Sequence, residues 1–134
     1  MIPSVNTVLN SEVKMITMPS KQHKMGFDNN RILGLCDGLE AVKQSIFKIL
    51  NTERYSCFIY SWDYGIELKD LYGHSPMYVC PEIERRVKEA LFQDDRILNI
   101  DEFEFDISRK GVVSVSFTVH TFFGDLNEEM VVNI

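Results

Sequence analysis

Residues 37–68, DGLEAVKQSIFKILNTERYSCFIYSWDYGIEL, deliver an amphipathic helix into an aromatic-rich turn. Leu39, Val42, Ile46, Ile49 and Leu50 recur at spacings of three and four, which places them on one stripe. Glu40, Lys43, Gln44 and Lys48 fall largely on the other side, so one face of the helix is buried. Asp37 stands where an N-cap carboxylate accepts from free backbone amides, and Glu40, three residues on, completes a variant of the capping box. After Asn51 and Thr52 the period lapses, and Tyr55 to Tyr60 offers aromatic and β-favouring residues suited to a short extended piece. In Ser61-Trp62-Asp63-Tyr64-Gly65 the glycine permits a left-handed turn, and the aromatics can cover the helix end.

Toward the N-terminus, residues 1–30 show no sustained period and are interrupted by Pro3, Pro19, Gly26, Asn29 and Asn30. They read as an extended arm. Pro19-Ser20-Lys21-Gln22-His23-Lys24-Met25 is its candidate contact with a partner, through Lys21 and His23, in the manner of a segment that orders on binding. Residues 31–134 then form a single domain, opened by a brief strand from Arg31 to Leu35 in which Gly34 turns the backbone.

Toward the C-terminus a second helix begins after Gly73-His74-Ser75-Pro76. Ser75 fits an N-cap and Pro76 the first helical position, but Pro81 removes a hydrogen bond, which calls for a kink or a later start. Val79, Ile83, Val87, Ala90 and Leu91 give the buried stripe. Glu84 with Lys88 and Glu82 with Arg86 make i,i+4 pairs on the wet side. The period then changes to two. Leu98 and Ile100 share one parity and Phe103, Phe105 and Ile107 the other, so a strand there carries a bulge or bend near Asp101-Glu102. Ser108-Arg109-Lys110-Gly111 connects it to Val113, Val115, Phe117 and Val119, which alternate with Ser114, Ser116, Thr118 and His120. Gly124-Asp125-Leu126-Asn127 breaks this pattern, and Met130, Val132 and Ile134 mark a final strand. The expected fold is α+β: two main helices packed on a small antiparallel sheet of three to four strands.

A chain of 134 residues is enough for one core. Its net charge of -6, with basic groupings as short as Arg85-Arg86-Lys88 and Arg109-Lys110, argues against a nucleic-acid partner. Cys36, Cys57 and Cys80 form no Cys-x-x-Cys pair, which fits reduced thiols in the cytoplasm. No basic start with an apolar run marks a secretory signal, and no stretch approaches the roughly 20 apolar residues that span a bilayer.

Catalytic patterns are sparse. His23, His74 and His120 have no ligand spacing around them, which leaves no metal site, and no glycine loop points to a nucleotide or other cofactor. Glu53, Asp63 and Glu67 surround the aromatic turn, and two carboxylates suffice for glycoside hydrolysis, but with 20 acidic residues in the chain such proximity arises by chance. His120 reads as a solvated or hydrogen-bonded side chain on the polar strand face, not a ligand. Asp94-Asp95-Arg96 reads as a helix-ending loop in which a carboxylate pairs with Arg96.

LEAVKQSIFKILNTERY, IYSWDYGIEL, ERRVKEALFQDDRI and SVSFTVHTFFGD together resemble the XkdS-like proteins of PBSX-type prophages. Those are similar in turn to the baseplate wedge and sheath-initiator family of contractile phage tails, R-type bacteriocins and, as TssE, type VI secretion systems. The resemblance covers roughly residues 19–132. It implies a structural, non-enzymatic role without cofactors: six copies around the tail tube, assembled in the cytoplasm, joining baseplate wedge proteins to the tail sheath protein, with the tube or hub as a further neighbour. It also implies that a sheet edge accepts the first sheath strands, and Met130, Val131 and Val132 are the candidate edge. The wider family carries a Glu-Pro-Arg motif that holds the initiator to the wedge. Asp94, Asp95 and Arg96 stand at that place, keeping an acid and the arginine but not the proline. Some members are labelled lysozyme-like, which gives a cell-wall glycoside hydrolase as the alternative.

Overall fold

A computed structural model describes residues 20–134. The greater part of the expected arm, and Pro19 with it, lies outside the described residues. The elements run β1 (Gln22–Gly26), β2 (Arg31–Cys36), α1 (Gly38–Leu50), a 3-10 turn at Lys69–Leu71, α2 (Pro76–Leu91), β3 (Ile97–Asp106), β4 (Val112–Thr121) and β5 (Gly124–Asn133). β3, β4 and β5 form an antiparallel meander in that order, and β1 with β2 forms a separate antiparallel hairpin. The architecture is α+β, as the periodicities predict.

The core lies between the helices and one face of the meander. Val42, Ile46 and Ile49 from α1, Val79, Ile83, Val87, Ala90 and Leu91 from α2, and Val113, Val115, Phe117 and Val119 from β4 close on one another. These are the positions that the 3.6 and 2.0 periods select. α2 runs unbroken from Pro76 through Pro81, so a start delayed to Pro81 is ruled out. β3 carries its bulge where the parity slips: the register shifts between Asp101 and Glu104, and Glu102 takes φ 54. A second shift between Ile97 and Asn99 turns Ile97 inward and leaves Leu98 exposed, against the parity reading.

Four further expectations are corrected. Tyr55 to Tyr60 is a series of turns, not an extended piece, with one isolated bridge from Glu53 to Ile66 nearby. Of the aromatics in Ser61–Gly65 expected to cover the helix end, Trp62 stands out in solvent and only Tyr64 packs against the core. β5 begins at Gly124 itself, because Phe122-Phe123 makes a two-residue turn that puts Asp125, Leu126 and Asn127 straight into register with β4. Glu40 closes no capping box. It pairs with Lys24 at 2.8 Å, while Asp37 accepts from Gly38 N at 2.7 Å and Ser20 N at 3.0 Å.

Gln44 and Arg86, read as wet, are buried. Gln44 Oε1 accepts from Met25 N at 2.9 Å, and Gln44 Nε2 donates to the His23 carbonyl at 2.6 Å, so this side chain fastens the hairpin to α1. Arg86 donates through Nη1 to Asp70 and to the Glu67 carbonyl at 2.9 Å, through Nη2 to Asp70 at 3.0 Å, and through Nε to Glu82 at 3.2 Å. It holds the segment before α2 against the helix, and the Asp70 carboxylate raises its pKa further.

Candidate functional interface

Asp94, Asp95 and Arg96 form the tight link between α2 and β3. Asp94 Oδ1 accepts from Arg96 N at 3.0 Å and from Nε at 2.9 Å, and Oδ2 accepts from Nη2 at 2.6 Å. Nη2 also donates to Ser45 Oγ on α1 at 3.1 Å, and the Arg96 carbonyl accepts from Phe122 N at 3.2 Å. Burial disfavours ionised Asp94, but the hydrogen bonds and charge of Arg96 outweigh it and hold the carboxyl below the usual range. One fork of the guanidinium is thus spent inside the chain, while Asp95 is exposed. The link ties α1, β3 and the β4–β5 turn together.

Among the described residues the meander has two unpaired edges of different character. Along β3 the two register shifts break the row of backbone groups and twist the strand. Along β5 the register with β4 is uninterrupted from Val112–Asn133 to Thr121–Gly124. The bond from Ile134 N to Gly111 O, at 2.9 Å, fixes its phase. Hydrogen-bonded pairs alternate in an antiparallel ladder, so Gly124, Leu126, Glu128, Met130 and Val132 bond to β4. Asp125, Asn127, Glu129, Val131 and Asn133 consequently turn their N–H and C=O groups to the open side. Val132 is buried, Met130 is half-buried and Val131 is exposed. Glu128 and Glu129 lie mid-strand on opposite faces.

Among the described residues the outer face of the meander is uncovered and polar. His120 Nδ1 lies 2.7 Å from Asp125 Oδ1 and its Nε2 lies 2.8 Å from Asp101 Oδ1, so one imidazole links β3, β4 and β5. The Asp125 contact, then the Asp101 contact, raises its pKa. Thr118 Oγ1 donates to Glu102 Oε2 at 2.7 Å, which ties the bulge to the central strand.

Lys21 and His23 are exposed at the start of β1, although the His23 backbone is held by Gln44. Sequence reading placed no strand before Arg31. The polar run QHKMG has no alternation to reveal one, and its pairing with β2 depends on contacts with α1.

Of the carboxylates considered for hydrolysis, Glu53 is engaged by the backbone. Glu53 Oε1 accepts from Leu68 N and Lys69 N, both at 3.1 Å, so its charge caps the 3-10 turn. Among the described residues no group of His, Cys, Asp or Glu is arranged to hold a metal, the three cysteines are free, and no helix is long and apolar enough to cross a membrane. The base of the aromatic loop is firmly held. Arg54, mostly buried, reaches Glu89 of α2 at 2.9 Å, Tyr60 stacks on Tyr64 at 4.4 Å, and Gly65 (φ 96) packs so tightly that a Cβ would come within 2.6 Å of the Thr52 carbonyl. From this base Phe58, Ile59 and Trp62 project into solvent.

Residues 14–124 match the protein family described as "Contractile injection system sheath initiator". Over 118 residues the chain is 41% identical to the phage-like element PBSX protein XkdS of Bacillus subtilis (strain 168), an alignment covering 84% of this chain and 82% of that protein.

Proposed function

Since the chain belongs to the contractile injection system sheath initiator family, we propose that it is a structural component of a contractile-tail baseplate that starts the sheath by accepting a strand along β5. The observation that carries this reading is the uninterrupted edge of β5, with five consecutive outward-facing backbone positions in one phase. Strand addition draws its affinity from such unpaired groups and its selectivity from alternating side chains. The opposite edge, β3, is bulged in the way that protects sheet edges from pairing.

In this reading the chain works by position. Asp94, Asp95 and Arg96 face the wedge proteins. Lys21 and His23, exposed where the N-terminal arm joins β1, meet a neighbour such as the tube or hub, and six copies of the domain ring the tube. The protein assembles in the cytoplasm and leaves as part of the particle, without binding nucleic acid or membrane. The role is structural and not enzymatic, as membership of a sheath initiator family supports, and of the carboxylates weighed for glycoside hydrolysis Glu53 is taken up by backbone amides.

Val131→Pro tests the edge. The Val131 N–H points away from β4, so proline there removes an outward donor and leaves the β4 ladder whole. The expected result is a folded protein that enters baseplates and a sheath that fails to grow on them, seen by electron microscopy. Full-length sheaths on a folded, incorporated variant would place the acceptor edge elsewhere.

A further inference from the structure

The inner face of β5 contains one residue out of keeping with its row. Opposite Val119, Phe117, Val115 and Val113 stand Leu126, Glu128, Met130 and Val132. Glu128 is thus a carboxylate in an apolar row, and its Oε1 is buried with no hydrogen-bond partner among the described residues. Burial pushes the carboxyl above the usual carboxylate range. The charge of Lys43 on α1 opposes that rise, yet Lys43 gives Oε1 no bond.

A buried oxygen that accepts nothing destabilises the free fold. Its position suggests what satisfies it. Glu128 bonds to β4 through its backbone, so toward the open side it occupies a non-hydrogen-bonded site, where side chains on an added antiparallel strand come closest, about 4.5–5.5 Å between Cβ atoms. A side chain arriving there on the inner face is within reach of Oε1, and those two residues before and after it meet Leu126 and Met130. A charge-assisted bond made in that half-buried place is of the strong kind.

We infer that the strand added to β5 carries a basic side chain, lysine or arginine, facing Glu128, with an apolar side chain two residues away on each side. This rests on the reading of β5 as the acceptor edge and specifies the partner: an extended segment in which apolar, basic and apolar residues alternate on one face. A second copy of this chain is a poor occupant. β5 carries Asp125, Glu128 and Glu129 and no lysine or arginine, so β5 paired with β5 sets acid against acid. Glu128 therefore selects the partner and rejects self-association through this edge.

The test compares Glu128→Leu, Glu128→Gln and Val131→Pro, each measured as purified protein and in assembled particles. Glu128→Leu removes the unpaired carboxylate, so the purified variant melts at or above the wild-type temperature. In particles it reduces the fraction of baseplates bearing sheath about tenfold or more, the scale of one charged hydrogen bond. Glu128→Gln, which keeps an acceptor but not the charge, falls between the two. Normal sheaths with Glu128→Leu beside stalled sheaths with Val131→Pro would overturn the basic contact and leave the acceptor edge standing. Normal sheaths with both would remove the edge reading and this inference together. A lowered melting temperature for Glu128→Leu would show that the carboxylate is satisfied within the chain, and would also overturn the proposal.

Discussion

Replacing Gln44 by leucine separates the hydrogen-bonding role of this side chain from its volume, which the two residues nearly share. The side chain is 3% exposed and serves two backbone groups of β1: it accepts from Met25 N and donates to the His23 carbonyl. Leucine orphans both. An unsatisfied buried backbone group costs roughly 1–3 kcal/mol, which caps the loss at about 6 kcal/mol if the hairpin stays in place. It need not stay. Ile32, Leu33 and Leu35 of β2 are largely exposed, so the hairpin buries little apolar surface and can swing out until water reaches the orphaned groups. Gln22, which donates to Ser45 Oγ at 3.1 Å and to the Ala41 carbonyl and accepts from Lys48 Nζ at 3.2 Å, remains to hold it, with the Lys24–Glu40 pair and the Phe27–Phe47 contact. The expected loss is therefore about 2–4 kcal/mol in urea unfolding followed by far-ultraviolet circular dichroism, with faster amide exchange concentrated at Met25 and its β2 partners. A variant within about 0.5 kcal/mol of wild type, with unchanged exchange at Met25, would refute the claim that Gln44 fastens the hairpin.

Ile46→Ala and Leu91→Ala, each at a fully buried position between helix and sheet, are expected to lose about 2–5 kcal/mol apiece in the same unfolding measurement. His120 has a raised folded pKa, so its stabilisation is fully present below the unfolded value of about 6.5 and is lost as pH rises through the folded value. The stability difference between wild type and His120→Gln accordingly shrinks from pH 6 toward pH 9, and a difference that grows over that range contradicts the Asp101 and Asp125 contacts. Arg96→Ala leaves the half-buried Asp94 with only the backbone amide of residue 96, so the isolated domain stays folded at a cost of about 1–3 kcal/mol, while its retention on purified baseplates falls. Wild-type retention of that variant would remove the role assigned to Arg96.

The parts of this fold legible in the sequence are those where burial follows a local period. The apolar stripes of α1 and α2, the alternation of β4 and the slip in parity at Asp101-Glu102 all express a side chain's direction relative to its immediate neighbours. What escaped depends on residues far along the chain. Gln44 and Arg86 sit at positions that periodicity gives to solvent, and both are buried because polar partners, 19 to 21 residues away for Gln44 and 16 to 19 for Arg86, fold over them. β1 has no pattern of its own, and the early part of β5 is a strand because β4 supplies its register. The candidate interface was legible only in outline. Asp94 and Arg96 were visible as a pair, but the phase of the β5 edge needs the Gly111–Ile134 bond, and the isolation of Glu128 needs the apolar row around it.

Trp62 is the only tryptophan of the chain, and in the aromatic loop it stands 83% exposed. Its indole is already hydrated in the folded state, so unfolding changes its surroundings little and its fluorescence stays close to that of indole in water throughout a melt. Emission is a poor gauge of folding for this protein. The same hydration makes it a sensitive gauge of cover: whatever packs on the loop displaces water from the ring and moves the emission toward the blue. The chain thus carries an optical label that ignores its own denaturation and reports the occlusion of one rim.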